Sequence, residues 1–149
     1  MKIYKPSELH AFLNAHGISA KKRFSQNFLI DYNILKKIAT CADIQQRDCV
    51  FEIGAGPGAL TEILLEKNAN VLAIEVDPQF AELLGRLQNA QNTLEIVQAT
   101  SSSSPWKASV KRKQSHTKKS KSSLIYPITS LPLFSHGFSP SLPGSNRSL

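Results

Sequence analysis

From position 100 onward this chain of 149 residues contains no aspartate and no glutamate. Its other absences are distributed more evenly, and each removes a class of protein. Two cysteines, Cys41 and Cys49, match no metal-ligand spacing and are too few for a disulfide framework, so reduced thiols in a cytoplasmic core are expected. The four histidines, His10, His16, His116 and His136, are scattered, and no metal site is expected. No apolar run approaches the length of a signal core or a membrane helix, so a soluble, cytoplasmic chain is expected, without a membrane partner.

The missing acids divide the chain in two. Residues 1–99 hold 10 Lys+Arg against 11 Asp+Glu, a net of −1, while residues 100–149 hold 8 Lys+Arg and no acid, a net of +8. The formal charge of +7 therefore belongs to the tail. The tail also carries 15 serines and 5 prolines, a bias that disfavours a packed core. The domain expectation follows: residues 1–99 form an incomplete α/β domain, and 100–149 a Ser/Pro/Lys-rich tail, disordered or derived from a frameshift. Two functional readings of the tail stand beside the frameshift. Lys111-Arg112-Lys113 and Lys118-Lys119-x-Lys121 could neutralise RNA phosphates, or act as a chance nuclear-import-like run.

What is present lies before the break. The apolar run Val50-Phe51-Glu52-Ile53 ends in Gly54-Ala55-Gly56-Pro57-Gly58, and a helical pattern begins at once with Ala59-Leu60-Thr61-Glu62. Alternating glycines let the backbone turn where a side chain would block it, and they leave the following helix start open toward a polar or anionic ligand. A second apolar run, Val71-Leu72-Ala73-Ile74, leads into Glu75. That is the offset from the first glycine, about 20 residues, at which an acid binds ribose hydroxyls in nucleotide-binding βαβ units. The spacing is G-x-G-x-G, not the G-x-G-x-x-G of dinucleotide sites, and it looks like an S-adenosylmethionine site. An unliganded loop is the bland alternative, and strand, turn, helix, strand and acid in order weigh against it.

Coarser elements complete the pattern. Pro6-Ser7-Glu8 followed by Leu9, Phe12 and Leu13 before Gly17 predicts a short helix with a serine cap and a glycine stop. Asp31 predicts an N-cap for a helix placing Ile34, Leu35 and Ile38 on one face. Helices near 60–67 and 78–87 would alternate with three strands. Phe80, Leu83, Leu84 and Leu87 form a stripe suited to core packing.

One further motif, Lys21-Lys22-Arg23-Phe24-Ser25-Gln26-Asn27-Phe28-Leu29-Ile30-Asp31, precedes the glycine turn. Together with Phe51-Glu52-Ile53-Gly54-Ala55-Gly56-Pro57-Gly58-Ala59-Leu60-Thr61-Glu62 it resembles the KsgA-type ribosomal RNA adenine N6,N6-dimethyltransferases, over roughly residues 19 to 99. The resemblance implies an α/β fold, the N-terminal half of a Rossmann-like methyltransferase with a parallel sheet. It implies S-adenosyl-L-methionine as cofactor, with Asn27, the backbone of Leu29, Gly54, Gly56, Gly58 and Glu75 around it. Glu52 matches the acid that precedes the glycines in many methyltransferases, with a solvated or capping strand-end carboxylate as the equal alternative. The implied activity is dimethylation of two adjacent adenines near the 3′ end of small-subunit ribosomal RNA by a monomer acting on that RNA or on a pre-ribosomal particle. Macrolide-resistance methyltransferases of large-subunit RNA share both motifs and are the nearest alternative. A non-enzymatic RNA-binding fragment using the basic tail is the alternative of another class.

The resemblance then breaks off. The family places an aspartate soon after the third strand, Leu94-Glu95-Ile96-Val97, and here that position is Thr100, followed by four serines. The family's N-[LI]-P-[YF] motif, which holds the target amine, has no counterpart in Ile125-Tyr126-Pro127 or Asn146-Arg147. No catalytic residue is therefore assigned. The chain is expected to be inactive, and poorly folded because the first strand would lack a fourth-strand neighbour and covering helices.

Overall fold

The computed structural model describes residues 2–18, 28–88, 90, 93–99 and 122–125. Helix α1 (Pro6–Ala15) opens the chain, followed by α2 (Tyr32–Cys41) and β1 (Cys49–Ile53). Next come α3 (Ala59–Glu66), β2 (Asn70–Glu75), α4 (Pro78–Leu84) with a 3-10 turn at Gly85–Leu87, β3 (Leu94–Gln98) and β4 (Ser122–Ile125). The four strands form one parallel sheet in the order β3-β2-β1-β4. The α/β class with a parallel sheet is as the sequence implied.

Local chemistry explains the helix ends. Proline at the first position of α1 has no amide to leave unpaired, and Gly17 past its end takes φ +68°. The expected serine cap is corrected: Lys5 is the N-cap residue, and Glu8 instead turns back to accept from the Tyr4 amide at 3.0 Å. Asp31 does cap α2, accepting from the amides of Asn33 and Ile34. Leu35 and Ala39 are buried on that helix, whereas Ile34 is 47 % exposed, so the apolar face lies one residue further round than the pattern suggested.

Parallel strands covered on both faces are largely apolar, and all five residues of β1 are buried, Glu52 included. Val50 faces a core built from Phe12 and Leu13 of α1, Leu35 of α2, Ile63 and Leu64 of α3, and Phe80 and Leu84 of α4. Leu83 and Leu87 pack against that core, as the stripe predicted. On the other face, Cys49, Phe51, Ile53, Leu72 and Ile74 form a second buried cluster with Ala99.

Two expectations for the sheet are corrected. The outer flank of β1 is not an open edge: β4 pairs with it in register, Cys49 with Ser122, Val50 with Ser123, Phe51 with Leu124 and Glu52 with Ile125. The apolar residues of the second face are not exposed either; none of the five exceeds 6 %. Composition across fifty residues masked a short segment able to extend. A strand needs only a few residues without proline to complete a ladder, and serine's small side chain does not prevent that.

Candidate cofactor site

The glycine turn joins β1 to α3 at the C-terminal end of the sheet. Gly54, Gly56 and Gly58 adopt φ of +78°, +54° and +88°, a region costly for any residue with a Cβ. The Gly54 amide donates to the Ile74 carbonyl at 2.7 Å, which pins the turn to β2. One residue on, Glu75 is 5 % exposed and holds the turn with its side chain. Its Oε2 accepts from the Gly56 amide at 2.7 Å and its Oε1 from the Asp77 amide at 2.9 Å. Asp77 in turn caps α4 by accepting from the Gln79 amide. Each Glu75 oxygen has a second lone pair beyond those bonds, so the carboxylate can accept from a ligand without releasing the turn.

A roof lies over the turn. A Cβ on Gly56 would sit 3.2 Å from the Phe28 ring, and that ring meets Phe80 edge-on at 5.2 Å between centroids. Leu29 follows, half-buried against the main core. Gly58 has a different reason to be glycine: an added Cβ would come within 2.8 Å of Leu84 and 2.9 Å of Leu87. Its missing side chain lets α3 approach α4.

Glu52 is wholly buried, which excludes the solvated alternative. Thr61 of α3 donates its hydroxyl to Glu52 Oε2 at 2.7 Å, while Oε1 has no partner. Burial pushes the Glu52 carboxyl up to about 8, and the nearby Glu75 charge adds to the rise that the Thr61 bond opposes. At neutral pH this group is mostly protonated, unlike a surface glutamate.

Sequence reading missed Thr61, Asp77 and a third group beside Gly58. There the Arg86 guanidinium stacks 4.6 Å from the Phe12 ring centre and donates to the Leu83 carbonyl. Burial lowers the Arg86 pKa, and Glu62 and Tyr4 oppose that shift. Phe12 and Arg86, more than seventy positions apart, meet here through folding, and no local pattern announces them. The Thr61 partnership did leave a trace, since strand-end Glu52 and first-turn Thr61 flank the same turn.

The turn residues Gly54, Gly56 and Gly58 thus come together with Leu29's segment and Glu75. Asn27 and Thr100 lie outside the described residues, although the Ala99 amide donates to the Glu75 backbone carbonyl at 3.1 Å. Among the described residues no cluster of His, Cys, Asp and Glu could hold a metal, and no helix is long and apolar enough to cross a membrane.

A family model described as ribosomal RNA adenine dimethylase matches residues 17–146, past the point near Ala99 where the resemblance was expected to end. A "Ribosomal RNA small subunit methyltransferase A" of Protochlamydia amoebophila is 53% identical over 96 residues, 64% of this chain and 34% of that protein. Its namesake in Leuconostoc mesenteroides is 42% identical over 96 residues, again 64% of this chain and 32% of that one. The chain thus spans about a third of the length of the curated relatives it matches. Among solved structures, the 23S rRNA methyltransferase ErmE matches at 36% identity and TM-score 0.44, covering 49% of this chain and 30% of that one. An RNA methyltransferase from Salinibacter ruber in complex with S-adenosyl-L-homocysteine matches at 19% identity and TM-score 0.41, covering 46% and 47%.

Proposed function

The chain belongs to the ribosomal RNA adenine dimethylase family, and on that premise we propose that it is the cofactor-binding part of an S-adenosylmethionine-dependent methyltransferase of small-subunit ribosomal RNA. The observation that carries this reading is the Glu75 carboxylate, buried beside the glycine turn and bonded to the Gly56 and Asp77 amides with lone pairs to spare. Ribose hydroxyls are the natural donors for those lone pairs. Gly54, Gly56 and Gly58 keep the turn clear for the rest of the cofactor, and the family resemblance makes Asn27 and the backbone of Leu29 further cofactor contacts. The cofactor supplies a methyl group on a positive sulfur, an electrophile that needs only an amine held in line. This chain's residues bind and orient that cofactor.

The substrate is small-subunit rRNA or a pre-ribosomal particle, because the curated relatives carry that subunit in their names; this favours it over the large-subunit alternative. The target is N6 of two adjacent adenines, turned out of their stack into the pocket. The written chain is inactive, since Thr100 replaces the acid expected to hold the adenine amine and no N-[LI]-P-[YF] segment follows. Calorimetry with S-adenosylhomocysteine tests the cofactor reading. Weak binding is expected, and Glu75→Ala should weaken it a further tenfold to hundredfold, about 1.5–3 kcal/mol. Equal affinity in the variant would remove the ribose assignment. Salt-sensitive RNA binding without any cofactor binding would instead select the basic-tail reading.

A further inference from the structure

We propose that the codons for residues 100–134 carry, one nucleotide out of register, the acid and the Asn-[Leu/Ile]-Pro-Tyr segment that the written chain lacks, the latter beginning at the end of a more apolar β4. The inference rests on the functional reading above only for what that segment does; the codon argument is independent of it. The break is sharp: β3 is paired through Gln98, Ala99 still bonds to Glu75, and all acids cease after it.

The genetic code constrains what a displaced frame can say. Every threonine codon begins with AC, so a single G restored ahead of Thr100 makes GAC, an aspartate, at that position. From there each restored codon consists of the last base of one written codon and the first two of the next. Trp106 followed by Lys107 then reads GAA, a glutamate, whatever codons are used, so acids return to the acid-free tail. Ile125 followed by Tyr126 reads TTA, CTA or ATA, which is leucine or isoleucine and nothing else. Tyr126 followed by Pro127 reads serine or proline, and proline if the tyrosine codon is TAC. A Leu124 codon ending in A gives asparagine before them, and a Pro127 codon ending in T gives tyrosine after them. The result is Asn-[Leu/Ile]-Pro-Tyr from Leu124-Ile125-Tyr126-Pro127-Ile128. No junction between Thr100 and Ile128 forces a stop. The opposite displacement fails, because Tyr126-Pro127 then reads isoleucine or threonine and never proline.

The fold puts the start of this segment beside β1. Junctions Lys121-Ser122 and Ser122-Ser123 read isoleucine or valine, then any of several large apolar residues, when the serine codons begin with TC. Those are the chain positions of β4, the strand beside β1. Leu124 and Ile125 stand opposite Phe51 and Glu52, near the end of β1 that runs into the glycine turn. An Asn-[Leu/Ile]-Pro-Tyr segment beginning there would leave the sheet beside Glu75 and Gly56.

Sequencing the gene from the Ile96 codon to the Phe134 codon decides the matter. The expected result is a Leu124 codon ending in A, TAC for Tyr126, CCT for Pro127, and an open displaced frame between. A different third base at any of the three, or a stop in that frame, overturns the inference. A gene carrying the added G then separates the two readings. Its product should bind S-adenosylhomocysteine at least tenfold more tightly than the written chain and methylate small-subunit particles. Correct codons with no such gain would leave the displaced frame standing and remove the functional reading.

Discussion

Replacing Glu52 by glutamine isolates the cost of a carboxyl buried in the middle of the sheet. The group is wholly buried, has one hydroxyl donor and carries an oxygen without a partner. Its pKa is raised from an ordinary value of 4.5 to about 8. A raised carboxyl pKa means that the folded state binds the proton more tightly than the unfolded chain. Its contribution is therefore full below pH 4.5, falls as pH rises, and is gone above about 8. Each pKa unit corresponds to about 1.4 kcal/mol, so the whole span amounts to roughly 5 kcal/mol as an upper figure. A loss of that size is comparable to the total stability of a small domain, about 5–15 kcal/mol. Glutamine cannot ionise. Urea titrations of both proteins from pH 4.5 to 8.5 should show the stability of Glu52→Gln gaining on the parent by about 1 kcal/mol or more per pH unit. Parallel curves across that range would refute the argument and mean that Glu52 meets water or a donor when ionised.

Other outcomes follow from the geometry. Gly58→Ala should lose roughly 2–4 kcal/mol, because it combines a left-handed backbone with a Cβ driven into Leu84 and Leu87, and thermal melts would register it. Asp31→Ala removes the acceptor for two α2 amides and should lower the urea midpoint by the equivalent of about 1 kcal/mol. Ending the chain after Ala99 strips β4 from β1, and light scattering should find aggregates at concentrations where the full chain stays dispersed; a monomer with an unchanged melt would show that the pairing contributes little.

Much of this was legible because it is local. The glycine turn, the acid that follows β2 and the Asp31 cap each depend on a few neighbouring residues whose chemistry permits little else. The Glu8 contact that displaced the expected serine cap is equally local, but two acceptors competed there and sequence could not rank them. Other features depend on distance. Arg86 reaches Phe12 only after α1 and the 3-10 turn are packed together. β4 was lost to averaging, since Ser122–Ile125 is four residues inside fifty of contrary composition. Glu52 was placed at the right spot in the turn motif, but its burial follows from a helix and two neighbouring strands closing around it.

The pairing of β1 also sets an order in time. β1 meets β2 across about twenty residues, and β2 meets β3 across a similar stretch, whereas Cys49 must wait for Ser122, more than seventy residues later. Closing the longer loop is entropically harder, and on a ribosome that strand has not yet been made when the first three can already associate. A nascent chain therefore passes through an interval in which one flank of its most apolar strand is unpaired. The sheet is most vulnerable then, and any factor that slows synthesis between the codons for Ala99 and Ser122 lengthens that exposure.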